Sequence, residues 1–266
     1  VVSGKKKRKA GKALLGNHQR CWLWGRHAVM ETLRAGRWLP LEVAVDSHQV
    51  AEEIQKELRE LCALHRVELT VSTASEMQKY CGTGEHQGLM AKMPPYPYVD
   101  IKAVLQRLSP ESAVLVLAGI QDPFNFGSIL RSADLFGIDA VIVPISGQAP
   151  VSSHVARSSV GAVNFLKIAQ VDNLQETCRE LAAFGLQMIA ATERGTQRPD
   201  AVDLTQGFAL VIGNEGAGIP ESLLHLCGTH VCIPIGGHVD SLNAAVATGI
   251  LCYEATRQRM VANPSA

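Results

Sequence analysis

The stretch that most constrains the fold runs from Phe208 to Arg259. There a strand-sized apolar run, FALVI, is followed at once by GNEGAG, and a second run, VCIPI, is followed by GGHVDS. This pattern predicts a strand over 208–212, a glycine-rich loop over 213–218, a helix opened by Pro220, a second strand over 231–235, a polar loop, and a long closing helix from Leu242 to Arg259. Both loops then leave strands at the same edge of a sheet. In open parallel sheets that edge, at the carboxyl ends of the strands, is where ligands bind. Glycine allows backbone to approach a ligand closely, and Ser241 is placed to cap the closing helix, so both loops read as built to hold something. Taken in isolation, Gly213 and Gly218 read equally well as turn residues.

The order of the glycines restricts the ligand. A dinucleotide fingerprint has the order GxGxxG early in a βαβ unit, whereas this loop is GxxGxG and lies near the end of the chain. No GK[ST] follows the glycines, so it is not a Walker phosphate loop either.

The rest of the chain supports an α/β protein of two domains. With 266 residues and 47% apolar side chains there is enough to fill a core. The longest apolar runs, such as Ala113–Ala118, are strand-sized, far from the ~20 residues of a membrane span, and the amino terminus lacks a secretory apolar segment. We therefore expect a soluble, cytoplasmic protein. Seven cysteines (Cys21, Cys62, Cys81, Cys178, Cys227, Cys232 and Cys252) are scattered without a CxxC pair, which favours reduced thiols over disulfides or zinc. The nine histidines show no HxxxH or HExxH spacing, and no metal is expected.

Net charge is zero but unevenly spread. Residues 1–40 carry ten cations (Lys5, Lys6, Lys7, Arg8, Lys9, Lys12, Arg20, Arg26, Arg34 and Arg37) against one acid, Glu31. A basic arm over 1–20 has the electrostatic footprint of nucleic-acid binding; a solvated tail or an address signal has the same composition.

After the arm, residues 21–94 alternate short helices and strands: WLWGRH leading into AVMETLRAG, a strand over 41–45, an amphipathic helix over 50–64, a strand over 68–71, a helix over 74–80 and a strand over 86–93. Pro94, Pro95 and Pro97 break the pattern, which places a linker over 95–100. The second domain, 101–266, opens with a helix over 101–108 and the buried strand 113–118. A helix follows DP, with Asn125 as a good cap and Ile129, Leu130, Ala133 and Leu135 as its apolar face. Next come a strand over 140–143, a Ser- and Gly-rich loop, a strand over 165–171, a helix over 173–184 and a strand over 187–191. Such alternation means a largely parallel sheet covered on both faces.

DPFNFGSILRSADLFG, VIGNEGAG and IPIGGHVDSLN, in that order and each after a strand, resemble the three motifs of the SpoU branch of the SPOUT methyltransferases, the TrmH-like family; ARSSVGA is a companion segment. The likeness covers roughly residues 100–260, and GRHAVMETLRAG with HQGLMAK resembles the small RNA-binding domain that precedes it in this family. The resemblance implies transfer of a methyl group from S-adenosyl-L-methionine (AdoMet) to a ribose 2′-hydroxyl of RNA, a carboxyl-terminal trefoil knot, and a homodimer formed through the carboxyl-terminal domain. The two-domain layout is most similar to enzymes acting on a guanosine of large-subunit rRNA. A tRNA 2′-O-methyltransferase and a non-catalytic RNA-binding or ribosome-assembly protein are the alternatives.

Carried over by position, Gly213, Glu215, Gly218, Ile233, Ile235 and Leu242 would hold AdoMet. Arg131 would assist the reacting hydroxyl, with Asn125 and Glu215 orienting it and Ser241 and Asn243 shaping the ribose site. A guanidinium stays protonated in proteins, so stabilising an alkoxide, or recruiting an RNA phosphate as proton acceptor, suits Arg131 better than acting as a simple base. The sequence departs from the family in having Ala244 and Ala245 where Val-Ser is common, and Arg157 and Ser158 where a lysine and a small residue are frequent. The closing helix carries more apolar circumference (Val246, Ile250 and Tyr253 beside Ala245, Gly249 and Cys252) than one sheet face can bury, which agrees with a dimer.

Overall fold

Hydrophobic periodicity switches between two and 3.6 residues along the chain, and the computed structural model turns that alternation into two compact units dividing between Tyr96 and Pro97. It describes residues 14–17, 20–238 and 241–263; the basic run over 5–12 lies outside these residues.

The amino-terminal unit is built on β1 (Trp22–Trp24), α1 (Arg26–Ala35), β2 (Glu42–Val45), α2 (Glu52–His65), β3 (Glu68–Val71), α3 (Ala74–Cys81) and β4 (Leu89–Lys92). The strands form one sheet in the order β1-β4-β2-β3, with only β2 and β3 parallel. Gly36 takes the left-handed conformation that closes α1, as expected, and Thr73 with Glu76 forms a reciprocal capping box at the start of α3. Strand β1 was not anticipated, because three residues, WLW, are too few to show alternation. Its identity comes from pairing with β4, as Leu23 faces Ala91 across the antiparallel ladder.

The carboxyl-terminal unit continues with α4 (Ile101–Leu105), β5 (Ala113–Ala118), α5 (Pro123–Leu135), β6 (Ala140–Pro144), α6 (Ser153–Ser158), β7 (Ile168–Val171), α7 (Leu174–Phe184), β8 (Gln187–Ala191), β9 (Phe208–Gly213), α8 (Glu221–Leu224), β10 (Thr229–Val231) and α9 (Ala244–Ala262). The six strands are all parallel, in the order β10-β8-β9-β5-β6-β7. The central strands β5 and β9 are almost completely buried, as expected of strands covered on both faces.

Several expected boundaries move, each for a physical reason. The last strand is 229–231 rather than 231–235, because β10 lies at the end of the sheet and its neighbouring strand, β8, ends at Ala191, the partner of Val231. Beyond that point the Cys232 amide bonds to the Gln197 carbonyl instead, and Pro234 has no donor to offer. The closing helix begins at Ala244, and its cap is Asn243 rather than Ser241: the Asn243 Oδ1 accepts from the amides of Ala245 and Val246. Asp122, not Asn125, caps α5, with Pro123 at the first helical position where its missing N–H costs nothing. On α5 the buried face is Phe126, Ile129, Leu130 and Ala133, whereas Leu135, about 200° around the helix from Ala133, is exposed. The helix expected over 101–108 stops at Leu105, the strand expected from 165 starts at Ile168, and the Ser- and Gly-rich loop contains α6, capped by Ser152.

Candidate functional site

Strands β8, β9 and β10 end side by side, and the segments that leave them line a cleft of about 860 Å³. From β8 come Thr192, Glu193 and Arg194; from β9 the whole of Gly213–Gly218; from the segment after β10 Cys232, Ile233 and Ile235; and from the start of α9 Ser241, Leu242, Asn243, Ala244, Ala247 and Leu251. All six residues assigned to the cofactor line it, as do Ser241 and Asn243.

The GNEGAG loop is a tight hairpin. Asn214 and Gly218 exchange backbone hydrogen bonds at 3.0 Å, and the Asn214 Oδ1 accepts from the amides of Gly216 (2.9 Å) and Ala217 (3.1 Å) while its Nδ2 donates to the Gly119 carbonyl. The amides of Gly216, Ala217 and Gly218 are thus engaged within the loop, not presented to a ligand as the glycine content suggested. Both outer glycines are required by geometry: Gly218 has φ +67°, and a Cβ on Gly213 would come within 2.6 Å of the Gly218 backbone.

A hydrogen-bond chain joins the three motifs across the mouth of the cleft. The Asn243 Nδ2 donates to the Asn125 Oδ1 at 3.0 Å, and the Asn125 Nδ2 donates to the Glu215 Oε1 at 2.9 Å. The direction of this chain is dictated from one end. The orphan amides at the start of α9 require the Asn243 oxygen, which leaves its NH₂ to donate outward. Asn125 must then accept with its oxygen and donate to the carboxylate.

Arg131 stands apart from this chain. It lies on the exposed side of α5, and its guanidinium makes no hydrogen bond or ion pair to another described residue. The expectation that Asn125 and Glu215 orient it has no direct contact behind it; those two side chains bond to each other. Asn214, Glu193 and Arg194 were not singled out from the sequence. The signal for the last two was present, since the β8 strand leaves the sheet at the same edge as β9, and ATERGT follows it with charged and polar residues.

Residues 112–253 match the family model described as the SpoU rRNA Methylase family, and residues 22–99 match the model for RNA 2′-O ribose methyltransferase substrate binding. A putative TrmH family tRNA/rRNA methyltransferase of Staphylococcus epidermidis is 35% identical over 243 residues, covering 88% of this chain and 94% of its own. The chain belongs to the SpoU, or TrmH, family. Among solved structures, the SpoU methyltransferase AviRb from Streptomyces viridochromogenes, in complex with the cofactor AdoMet, is similar with a TM-score of 0.77 and 26% identity over 93% of this chain and 96% of that one. An RNA 2′-O ribose methyltransferase is similar with a TM-score of 0.75 and 28% identity over 91% and 90%.

Membership of the SpoU family makes the protein an RNA 2′-O-ribose methyltransferase with AdoMet as its cofactor. The cleft fits that group. Its volume lies within the ~300–1,000 Å³ of small-molecule sites, Ile233, Ile235, Leu242 and Leu251 supply apolar wall, and Glu193, Arg194 and Glu215 supply both signs of charge for an amino-acid end and ribose hydroxyls.

Proposed function

We propose that the SpoU protein methylates a guanosine ribose of large-subunit rRNA, with AdoMet held by Gly213, Glu215, Gly218, Ile233, Ile235 and Leu242 and with Arg131 acting on the reacting hydroxyl. The observation that carries this reading is the Asn243–Asn125–Glu215 chain, which ties a residue of the first motif to the two loops lining the cleft. A scaffold that only bound RNA would have no use for three polar side chains fixed in one direction at a cofactor-sized cleft.

AdoMet, when bound, supplies an electrophilic methyl group; the chain's own residues must place the ribose oxygen and help it lose its proton. Glu215, fixed by Asn125, and the Asn243 side chain form a polar rim where a ribose can be oriented. Arg131, exposed on α5, is placed either to stabilise the developing alkoxide or to grip a phosphate that accepts the proton. The front unit, matched over 22–99 by the substrate-binding family, adds RNA contacts of its own. A ribosomal target is supported by this two-unit layout and by the family description, and a carboxyl-terminal trefoil knot belongs to the same reading.

The test combines two measurements. Tritiated AdoMet and total RNA from cells lacking the protein should give label in large-subunit rRNA, and mapping 2′-O-methyl marks in those cells should show one guanosine mark missing. Label in tRNA alone would overturn the rRNA assignment. Arg131→Ala should reduce methyl transfer by roughly a hundredfold or more, the scale of losing a transition-state charge partner, while AdoMet affinity by calorimetry stays within about twofold. An Arg131→Ala enzyme with full activity would remove Arg131 from the mechanism.

A further inference from the structure

Helix α5 presents a solvent face made of Phe124, Ser128 and Arg131, all exposed and spaced i, i+4, i+7, so Phe124 and Arg131 lie on one side of the helix about 10 Å apart along its axis. Phe124 is 60% exposed, while Phe126, two residues on, is completely buried. The first ring therefore fills no core, and it directly precedes Asn125, which holds Glu215 at the cleft.

Its surroundings are nonetheless built. His154, at the start of α6, meets the Phe124 ring edge-on, with centroids 6.0 Å apart and planes at 82°. Helix α6 is locked against α5: the Ser158 hydroxyl donates to the Pro123 carbonyl, and a Cβ on Gly127 would overlap the Ser158 Oγ. The aromatic pair is thus held on two interlocked helices, beside the arginine assigned to the ribose.

We propose that Phe124, flanked by His154, is a stacking shelf for a nucleobase of the RNA substrate, next to the reacting ribose. RNA presents unpaired bases as flat apolar faces, and exposed aromatic rings beside cationic side chains are the complementary surface. The inference rests on the reading that the Arg131 side of α5 meets the ribose.

The test measures methyl transfer from tritiated AdoMet to total RNA from cells lacking the protein, with AdoMet affinity measured separately by calorimetry. Phe124→Ala raises KM for RNA about tenfold and leaves kcat and the AdoMet affinity within about twofold, the scale of losing one base–aromatic contact. Phe124→Leu keeps apolar bulk without a π-face and behaves like Phe124→Ala, whereas Phe124→Trp keeps the wild-type KM. Should the alanine variant fail to fold, the order of the Leu and Trp variants decides. A wild-type KM in Phe124→Leu would overturn the shelf and leave an apolar contact with protein in its place, and an unchanged KM in Phe124→Ala would overturn it outright. Full activity in Arg131→Ala would instead defeat the catalytic assignment, whatever the order of the Phe124 variants.

Discussion

At the scale of single residues, Asn243 performs two tasks that different substitutions separate. Its oxygen caps α9 and its nitrogen starts the chain to Asn125 and Glu215. Asn243→Ala removes both, so thermal unfolding should show a loss of about 1 kcal/mol, the usual cost of a helix cap, together with reduced methyl transfer. Asn243→Asp keeps an acceptor for the helix amides but cannot donate to Asn125; stability should stay within about 0.5 kcal/mol of wild type while methyl transfer falls roughly tenfold. Equal activity in the aspartate variant and the wild type would mean that the chain does not matter for the reaction. These residues were found from the motifs, but their connections were not. Asparagine is a preferred cap, which made Asn125 a candidate for the start of α5; Asp122 with Pro123 takes that place, and Asn125 is free to face another loop 90 residues away. No local propensity encodes that encounter.

At the scale of elements, alternation of strands and helices was readable because parallel strands buried on both faces leave long apolar runs, as in β5 and β9. Boundaries failed where tertiary pairing decides them: VCIPI looks like a strand, yet β10 lies upstream because Val231 is the last residue with a partner in β8. The same loops yield two tests. Gly213→Ala forces a Cβ against the Gly218 backbone, so it should cost about 1–3 kcal/mol in unfolding experiments and weaken AdoMet binding at least about tenfold. Wild-type AdoMet affinity in that variant would show that the hairpin does not shape the cofactor site. Thiol chemistry reports on the cleft as well. Burial pushes the thiols of Cys62 and Cys178 up to about 11 and those of Cys227 and Cys252 up to about 12. A raised pKa means less thiolate at a given pH, so at pH 8 fewer than about one in a hundred of these groups is reactive, and they should resist alkylation in the native protein. Cys81 and Cys232 are only partly buried, so iodoacetamide should label these two before the buried thiols, and AdoMet should slow the labelling of Cys232, which lines the cleft, and not that of Cys81. Labelling of Cys232 at the same rate with saturating AdoMet would place the cofactor elsewhere.

For the whole molecule, α9 leaves apolar surface uncovered in a single chain. Its inner side is buried through Ala244, Thr248, Leu251, Cys252 and Ala255, and its carboxyl-terminal end is pinned by Arg259, which donates to the carbonyls of Leu204, Glu111 and Gln206. The opposite side carries Val246, Ile250 and Tyr253 at i, i+4 and i+7, all exposed, with Phe136 edge-on to Tyr253 and the exposed Leu135 following on from α5. A helix that is apolar on both sides needs cover on both, and an exposed stripe of this kind marks an association surface. The sequence showed this excess of apolar circumference but not which residues would be left uncovered, because that depends on how α5 and α9 pack. We predict a homodimer formed through this stripe. Leu242, Asn243, Ala244 and Ala247 of the cleft belong to the same helix or its entry, so separating the protomers should also disturb the cofactor site. Light scattering at low micromolar concentration should give twice the 28.6 kDa chain mass. The Val246→Glu and Tyr253→Glu double variant, which places charge at exposed positions the monomer fold does not need, should shift the mass to one chain while circular dichroism stays unchanged, and methyl transfer should fall with it. A single-chain mass for the wild type at full activity would defeat the dimer; a monomeric double variant with full activity would show that the partner contributes nothing to the reaction.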